Sequence, residues 1–180
     1  MMNKLMMCKN VLLLTLLCLI VSPCVLFAEE GASAPDKRLF HIARSKNKNL
    51  VCYDVNLQDG KLDTRNPLTI YWLNREDKPG KTENLTTIQR KMAYGYKLLS
   101  SDDETCKITL TAYSAREITI RKDGTHYVCM VDINNKPAIL QSLYVQAKKS
   151  NSLTVEYIEL NGIDPDTQQP VYEKIENKKQ

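Results

Sequence analysis

The chain has 180 residues, 43% hydrophobic and 26% charged, with 25 Lys and Arg against 21 Asp and Glu. Two of the lysines, Lys4 and Lys9, fall in a segment expected to be removed, which leaves 23 basic side chains against 21 acidic ones, a balance of +2. That excludes the concentrated basic footprint that nucleic acid requires and gives no general reason for an anionic partner.

The removed segment is Met1 to Ala28, read as a signal peptide. Lys4 and Lys9 precede an apolar run from Val11 to Val21, followed by Ser22-Pro23 and the small Ala28, after which the cut is expected. The run is too short to span a bilayer comfortably, so no transmembrane segment is expected in the mature chain. Leu26 is larger than the Ala usual three residues before a cut, which keeps an uncleaved anchor as the alternative. Lipid attachment at Cys18 or Cys24 fits poorly, because Leu17 and Pro23 precede them. The expectation is export to the periplasm or beyond. About 150 residues then remain, enough for one domain to bury a core without metal or disulfide.

Three of the six cysteines stay with the mature chain: Cys52, Cys106 and Cys129. An odd number leaves at least one free thiol. All three lie in strand-like apolar runs, so buried thiols are the main expectation and a single bridged pair the alternative.

Residues 29–37 read as a flexible leader, 38–176 as one β-rich domain and 177–180 as a polar tail. Arg38 to Ala43 and Leu50 to Val55 alternate with the period of strands, and the polar Arg44 to Asn49 between them reads as a turn in which asparagines supply left-handed geometry. Asp59-Gly60 and Asp63 to Asn66 form the next connection. Leu68 to Leu73 is partly apolar on both faces and is placed centrally. Asn74 to Lys81, with Pro79-Gly80, is a loop.

A short helix follows over about 86–94. Thr86-x-x-Gln89 is a capping box, Leu85, Ile88 and Met92 share a face, and Gly95 suits the left-handed position that ends a helix. The hydrophobic staple fails at Arg90. Thr105 to Tyr113 and Arg116 to Lys122 are strands, and Asp123-Gly124 turns into a strand through Cys129 and Ile133. Asn134-Asn135 turns into Ala138 to Ala147. Leu153 to Leu160 is a further strand, Asn161-Gly162 a turn, and Val171 to Ile175 a last edge strand. Eight or nine short strands with one helix predict a mainly β fold, a single antiparallel β-sandwich or a partly open β-barrel.

Convergent chemistry is sparse. His41 and His126 are the two histidines. Cys52 could approach His41 across strands as a nucleophile and base, but nothing nearby marks an orienting group or an oxyanion hole. Asp54-x-Asn56-x-x-Asp59-Gly60 has one residue too many for a calcium loop and lacks the distant Glu, so it reads as a solvated turn. Asp164-Pro165-Asp166-Thr167 is an Asx turn by the same reasoning, and Glu156 and Glu159 face opposite ways on their strand. No metal or cofactor is expected. Tyr53, Tyr71, Trp72, Tyr94 and Tyr96 cluster in the first half, and polar-tipped rings serve both glycan or peptide recognition and ordinary core edges.

Four blocks in order, HIARSKNKNLVCYDVN at His41 to Asn56, IYWL at Ile70 to Leu73, LTTIQRKMAYGYK at Leu85 to Lys97 and VEYIELNGIDPDTQQPVYEKI at Val155 to Ile175, resemble the bacterial DUF4833 family of uncharacterised function. The resemblance covers Arg38 to Ile175. It implies a single exported domain with Arg44, Asn47, Asn49, Tyr53, Trp72, Arg90, Tyr94, Gly95 and Gly162 as characteristic residues, and it brings no activity or cofactor. Where the family pattern suggests Thr-Gly this chain has Thr167-Gln168, which leaves the build of that loop open. Arg44, Asn47, Asn49, Tyr53, Trp72, Arg90 and Tyr94 form the candidate ligand-binding set, read either as a brace between helix and loop or as a groove for an envelope protein, peptide or glycan. A non-enzymatic binding or interaction module is the leading expectation, and an envelope hydrolase of peptide or glycan the alternative.

Overall fold

The computed structural model describes residues 37–177, so the expected signal segment, most of the leader and the end of the tail lie outside the described residues. In chain order the strands are β1 (Arg38–Arg44), β2 (Asn47–Val55), β3 (Leu57–Gln58), β4 (Lys61–Leu62), β5 (Leu68–Leu73) and β6 (Thr82–Asn84). A single α turn, α1 (Thr87–Gln89), runs into a π-helical segment, Arg90–Tyr94. Then come β7 (Tyr96–Ser101), β8 (Thr105–Leu110), β9 (Tyr113–Asp123), β10 (His126–Ile133), β11 (Lys136–Lys148), β12 (Asn151–Ile163) and β13 (Pro170–Glu176). The fold is mainly β, one large sheet curled into a half-barrel with the two-stranded ribbon β3–β4 as a small second sheet.

The curl originates at β11. One edge of this 13-residue strand pairs with β10 over Lys136–Ile139 and then, in parallel, with β1 over Ser142–Val145. The opposite edge carries β12, and β13 lies outside β12 as the expected edge strand. Two wings, β1-β2-β5-β6 and β10-β9-β8-β7, therefore leave successive stretches of the same edge. Their inner faces close on one core holding Phe40, Ile42, Tyr53 and Ile70 from the first wing and Ile108, Ile120, Cys129 and Val131 from the second, with Leu140, Leu143 and Leu160 at the junction. A smaller cluster, Leu50, Cys52 and Tyr71, lies apart from it. Strand period accounts for this sorting, since alternate residues of β2 contribute Val51 and Tyr53 to the large core and Leu50 and Cys52 to the small one.

Several local expectations change. The helix is shorter than the 86–94 span suggests, because only one α turn forms before the ladder widens: the Gly95 N–H donates to Arg90 O, five residues back, at 2.9 Å. The widened turn shifts the phase, so Ala93 and Tyr94 face the core while Ile88 and Met92 are 72% and 74% exposed. The capping box at Thr86 and Gln89 is present on both sides. Gly95 has φ −71°, not left-handed, and its lack of a side chain answers a different need: a Cβ would sit 2.2 Å from Arg90 O. Asn161-Gly162 is not a turn but lies within β12, where a Cβ on Gly162 would meet Ile139 O at 2.7 Å beside a bulge in β11.

Asn134 and Asn135 do form a turn, with φ of 52° and 62°, and Asp59-Gly60 closes the β3–β4 ribbon with φ of 54° and 78°. The β9–β10 turn falls on Gly124-Thr125, since Asp123 still pairs with His126. β5 is not central: among the described residues only the three-residue β6 lies outside it. β6 and β7 are strands that alternation did not reveal.

Candidate functional site

Arg44 ends β1, and a turn at Ser45-Lys46 leads back into β2, so Asn47 and Asn49 belong to the strand rather than to a loop. Neither takes positive φ. A register shift between Ile42 and Arg44 marks a bulge in the pairing of β1 with β2 at this end. The turn is held to β11 by Ser45, whose N–H donates to Val145 O at 3.1 Å and whose hydroxyl accepts from the Ala147 N–H at 3.0 Å.

Four of the seven candidate residues form a brace. Arg44 Nη1 donates to the Tyr94 hydroxyl at 2.6 Å, and the buried Tyr53 hydroxyl donates to Tyr94 O at 2.7 Å. Tyr53 stacks on Phe40 with ring centroids 4.3 Å apart. Arg90 does not reach the Arg44 turn; its guanidinium donates to Ile70 O at 3.2 Å and fastens the π segment to β5. Burial raises the Tyr94 hydroxyl above its ordinary pKa against the opposing pull of the Arg44 cation, and burial raises Tyr53 much further, so both remain neutral donors or acceptors.

Asn47, Asn49 and Trp72 stand in front of that brace. Together with Asn74, Asn84 and Gln89 they line a groove of about 270 Å³. Trp72 meets Tyr94 edge to face at 5.3 Å, and its indole N–H donates to Gln89 Oε1 at 3.4 Å. That oxygen also accepts from the Thr86 N–H at 2.9 Å, so the capping box fixes a wall of the groove. Asn49 Oδ1 accepts from the Arg75 N–H at 2.8 Å, and Asn74 Oδ1 accepts from the Glu76 and Lys78 N–H groups. Asn47 Oδ1 is buried with no hydrogen-bond donor among the described residues. The groove is thus rich in uncharged amides beside one aromatic; its one carboxylate, Glu83, has Lys81 Nζ at 3.4 Å.

Sequence reasoning missed Asn74, Glu83, Asn84, Thr86 and Gln89 as groove residues. Thr86 and Gln89 were visible as a cap, but a cap pattern carries no sign that its side chains also line a groove. Asn74 and Asn84 bracket a loop whose closing strand, β6, has no alternation to announce it.

A second recess of about 380 Å³ also borders β6 and is lined by Asp54, Thr69, Tyr71, Thr82, Glu83 and Asn84. Two of these, Asp54 and Tyr71, share a triad in which Arg38 Nε donates to Asp54 Oδ1 at 2.5 Å, Arg38 Nη2 to the Tyr71 hydroxyl at 2.6 Å, and that hydroxyl to Asp54 Oδ2 at 2.7 Å. The aspartate charge is therefore matched where it is buried.

His41 and Cys52 are opposite one another in the β1–β2 ladder. Burial, with Arg38 and Arg75 nearby, lowers the imidazole pKa, and burial pushes the Cys52 thiol up to about 11. At neutral pH both are uncharged, the reverse of the thiolate and imidazolium that nucleophilic chemistry uses. Cys52, Cys106 and Cys129 are all free and buried. The run from Asp54 to Asp59 is dispersed: Asp54 is bound by Arg38, Asn56 bonds Thr69 and the Asn66 carbonyl, and Asp59 sits in the β3–β4 turn. Asp164 Oδ1 accepts from the Asp166 and Thr167 N–H groups, an Asx turn. Among the described residues no helix is long and apolar enough to cross a membrane.

No curated protein and no solved structure matches the chain. The family described as a domain of unknown function (DUF4833) matches residues 40–174, from the third residue of β1 to the fifth of β13. The brace and the lining residues of both recesses fall inside that span, and the chain belongs to the DUF4833 family.

Proposed function

We propose that the protein is a non-enzymatic binding module that works after export, in the periplasm or at the cell envelope, and holds a neutral, hydrogen-bond-rich ligand in the groove in front of Trp72. The observation that carries this is the lining itself: Asn47, Asn49, Asn74, Asn84 and Gln89 set five side-chain amides around the Trp72 ring. The lining explains the neutral choice. Among the described residues no Lys, Arg or His lines the groove to hold an anion, and the carboxylate that does, Glu83, is already near a lysine. Side-chain amides donate and accept, and the indole adds apolar contact, which is the mixture that suits hydroxyls and amides of envelope glycans and peptides.

Trp72 is the sole tryptophan of the chain, so its emission reports on the groove. Titration with soluble fragments of cell-wall polymer is expected to shift that emission in the wild type and not in Asn47→Leu, which removes both amide functions at similar volume. An unchanged wild-type emission up to millimolar fragment, or an equal shift in the variant, overturns the assignment.

A further inference from the structure

The two recesses lie side by side at one strand. β6 pairs Trp72 with Glu83 and Tyr71 with Asn84, so successive residues of β5 and β6 turn to opposite faces of the sheet, and Glu83 and Asn84 border both recesses. Among the described residues nothing in the sheet lies outside β6. The Asn74 N–H donates to Lys81 O, and two residues on in this ladder Trp72 and Glu83 form the next hydrogen-bonded pair. Thr82 and Asn84 consequently turn their backbone groups to the free edge. A path of polar groups thus runs from the amide groove, over a bare strand edge, into the recess lined by Asp54 and Tyr71.

Resting on the binding-module reading above, we propose that the ligand is a linear, neutral glycan chain that wraps the free edge of β6, with one sugar unit against Trp72 and Asn47 and a following unit in the Tyr71–Thr82 recess. A glycan fits better than a peptide for a geometric reason. A peptide added to the edge would extend the sheet in its own plane and reach neither recess, and an edge of three residues offers it few ladder bonds. Sugar hydroxyls can meet side-chain amides on one face, outward backbone groups at the edge, and Thr69 and Thr82 on the other.

The test uses chitin oligomers of two to six sugars and, in parallel, a neutral Gly/Ala/Ser hexapeptide, titrated into the protein with Trp72 emission and calorimetry as readouts. Affinity is expected to rise about tenfold or more from the disaccharide to the longer chains, the equivalent of ~1.4 kcal/mol. Thr82→Tyr places a ring over the second recess from an exposed strand position and is expected to flatten that rise to under about twofold. Asn47→Leu weakens every oligomer. Thermal unfolding of both variants, monitored by circular dichroism, separates lost binding from lost fold. Length-independent affinity, or an undiminished rise in Thr82→Tyr, overturns the wrapped chain and leaves the groove standing. Response to the peptide but not to the glycans overturns the ligand class alone. Silence toward every probe removes this proposal, and equal silence toward cell-wall fragments removes the binding-module reading with it.

Discussion

Replacing Gly95 by Ala tests the joint on which the site depends. The added Cβ would lie 2.2 Å from Arg90 O, 3.1 Å from Arg90 C and 3.2 Å from Thr111 Oγ1. The threonine side chain can turn away, but Arg90 O is backbone and is itself the acceptor for the Gly95 N–H at 2.9 Å. Relieving the contact means opening that turn by about 1 Å, which no close-packed interior absorbs freely. Loss of the hydrogen bond costs about 1 kcal/mol and the overpacking about 1–3 kcal/mol, so the expected destabilisation is about 2–4 kcal/mol. For a domain of this size that lowers Tm by roughly 5–15 °C. Urea unfolding followed by Trp72 emission measures it directly, and the same emission should report a disturbed groove, because Tyr94 precedes Gly95 and packs against the indole. Gly80→Ala is the control: its φ is +84° with nothing within 4 Å of a Cβ, so it carries only the backbone penalty of about 1 kcal/mol. Stability of Gly95→Ala within about 0.5 kcal/mol of wild type would refute the steric account of the π turn.

Two further changes probe sites remote from the groove. Gln168 occupies φ 57°, with its N–H on Asp164 O at 2.9 Å, at the position where the family pattern suggested glycine; Gln168→Gly removes a left-handed penalty of about 1–2 kcal/mol and adds about 0.4–1 kcal/mol of unfolded-state freedom, so Tm should rise slightly. A fall in Tm would show that the exposed Gln168 Nε2 bond to Pro165 O at 2.8 Å outweighs the strain. Glu173 clasps Arg116 through two bonds of 2.6 and 2.7 Å and accepts from the Asn134 N–H at 2.7 Å, joining β13 to the β9–β10 side. The hydrogen bond from Arg116 is the main cause that holds the Glu173 carboxyl below its ordinary pKa. A lowered folded pKa means the stabilisation is fully present above the unfolded value of about 4.3 and is lost as pH falls through the folded one. Glu173→Gln should therefore cost about 2 kcal/mol at pH 7, with the gap to wild type closing below about pH 4 in urea titrations; a gap independent of pH would mean the carboxylate charge is not what matters.

What could be read ahead follows from which forces are local. Strands whose alternation is their own, such as β5 at Leu68–Leu73 and β8 from Thr105, were legible because one face of each meets the core. β6 and β7 were not, since their pairing is imposed by neighbours and β6 is exposed at all three residues. The capping box at Thr86 is a contact between near neighbours and was readable; the outward turn of Ile88 and Met92 depends on the π widening, which a 3.6-residue period does not contain. Gly95 and Gly162 could be marked as special but not explained, because the atoms that exclude a side chain, Arg90 O and Ile139 O, become neighbours only after folding. The candidate site was half legible. The aromatic and amide residues were named, yet their division between brace and groove required knowing that Arg44 reaches Tyr94 and that Asn47 lies beside Trp72 in the groove.

That division has a consequence for how the site works. Tyr94 is held by four separate features: Arg44 on its hydroxyl, Tyr53 on its carbonyl, the edge-to-face contact with Trp72, and the π turn that closes on Arg90. Each comes from a different part of the chain, β1, β2, β5 and the helical segment, so no single element can shift Tyr94 without breaking a bond to another. Trp72 and Gln89 inherit that rigidity, one through the ring contact and the other through its shared oxygen. A groove built this way presents its amides already fixed, and a ligand that binds there loses little free energy to ordering the protein.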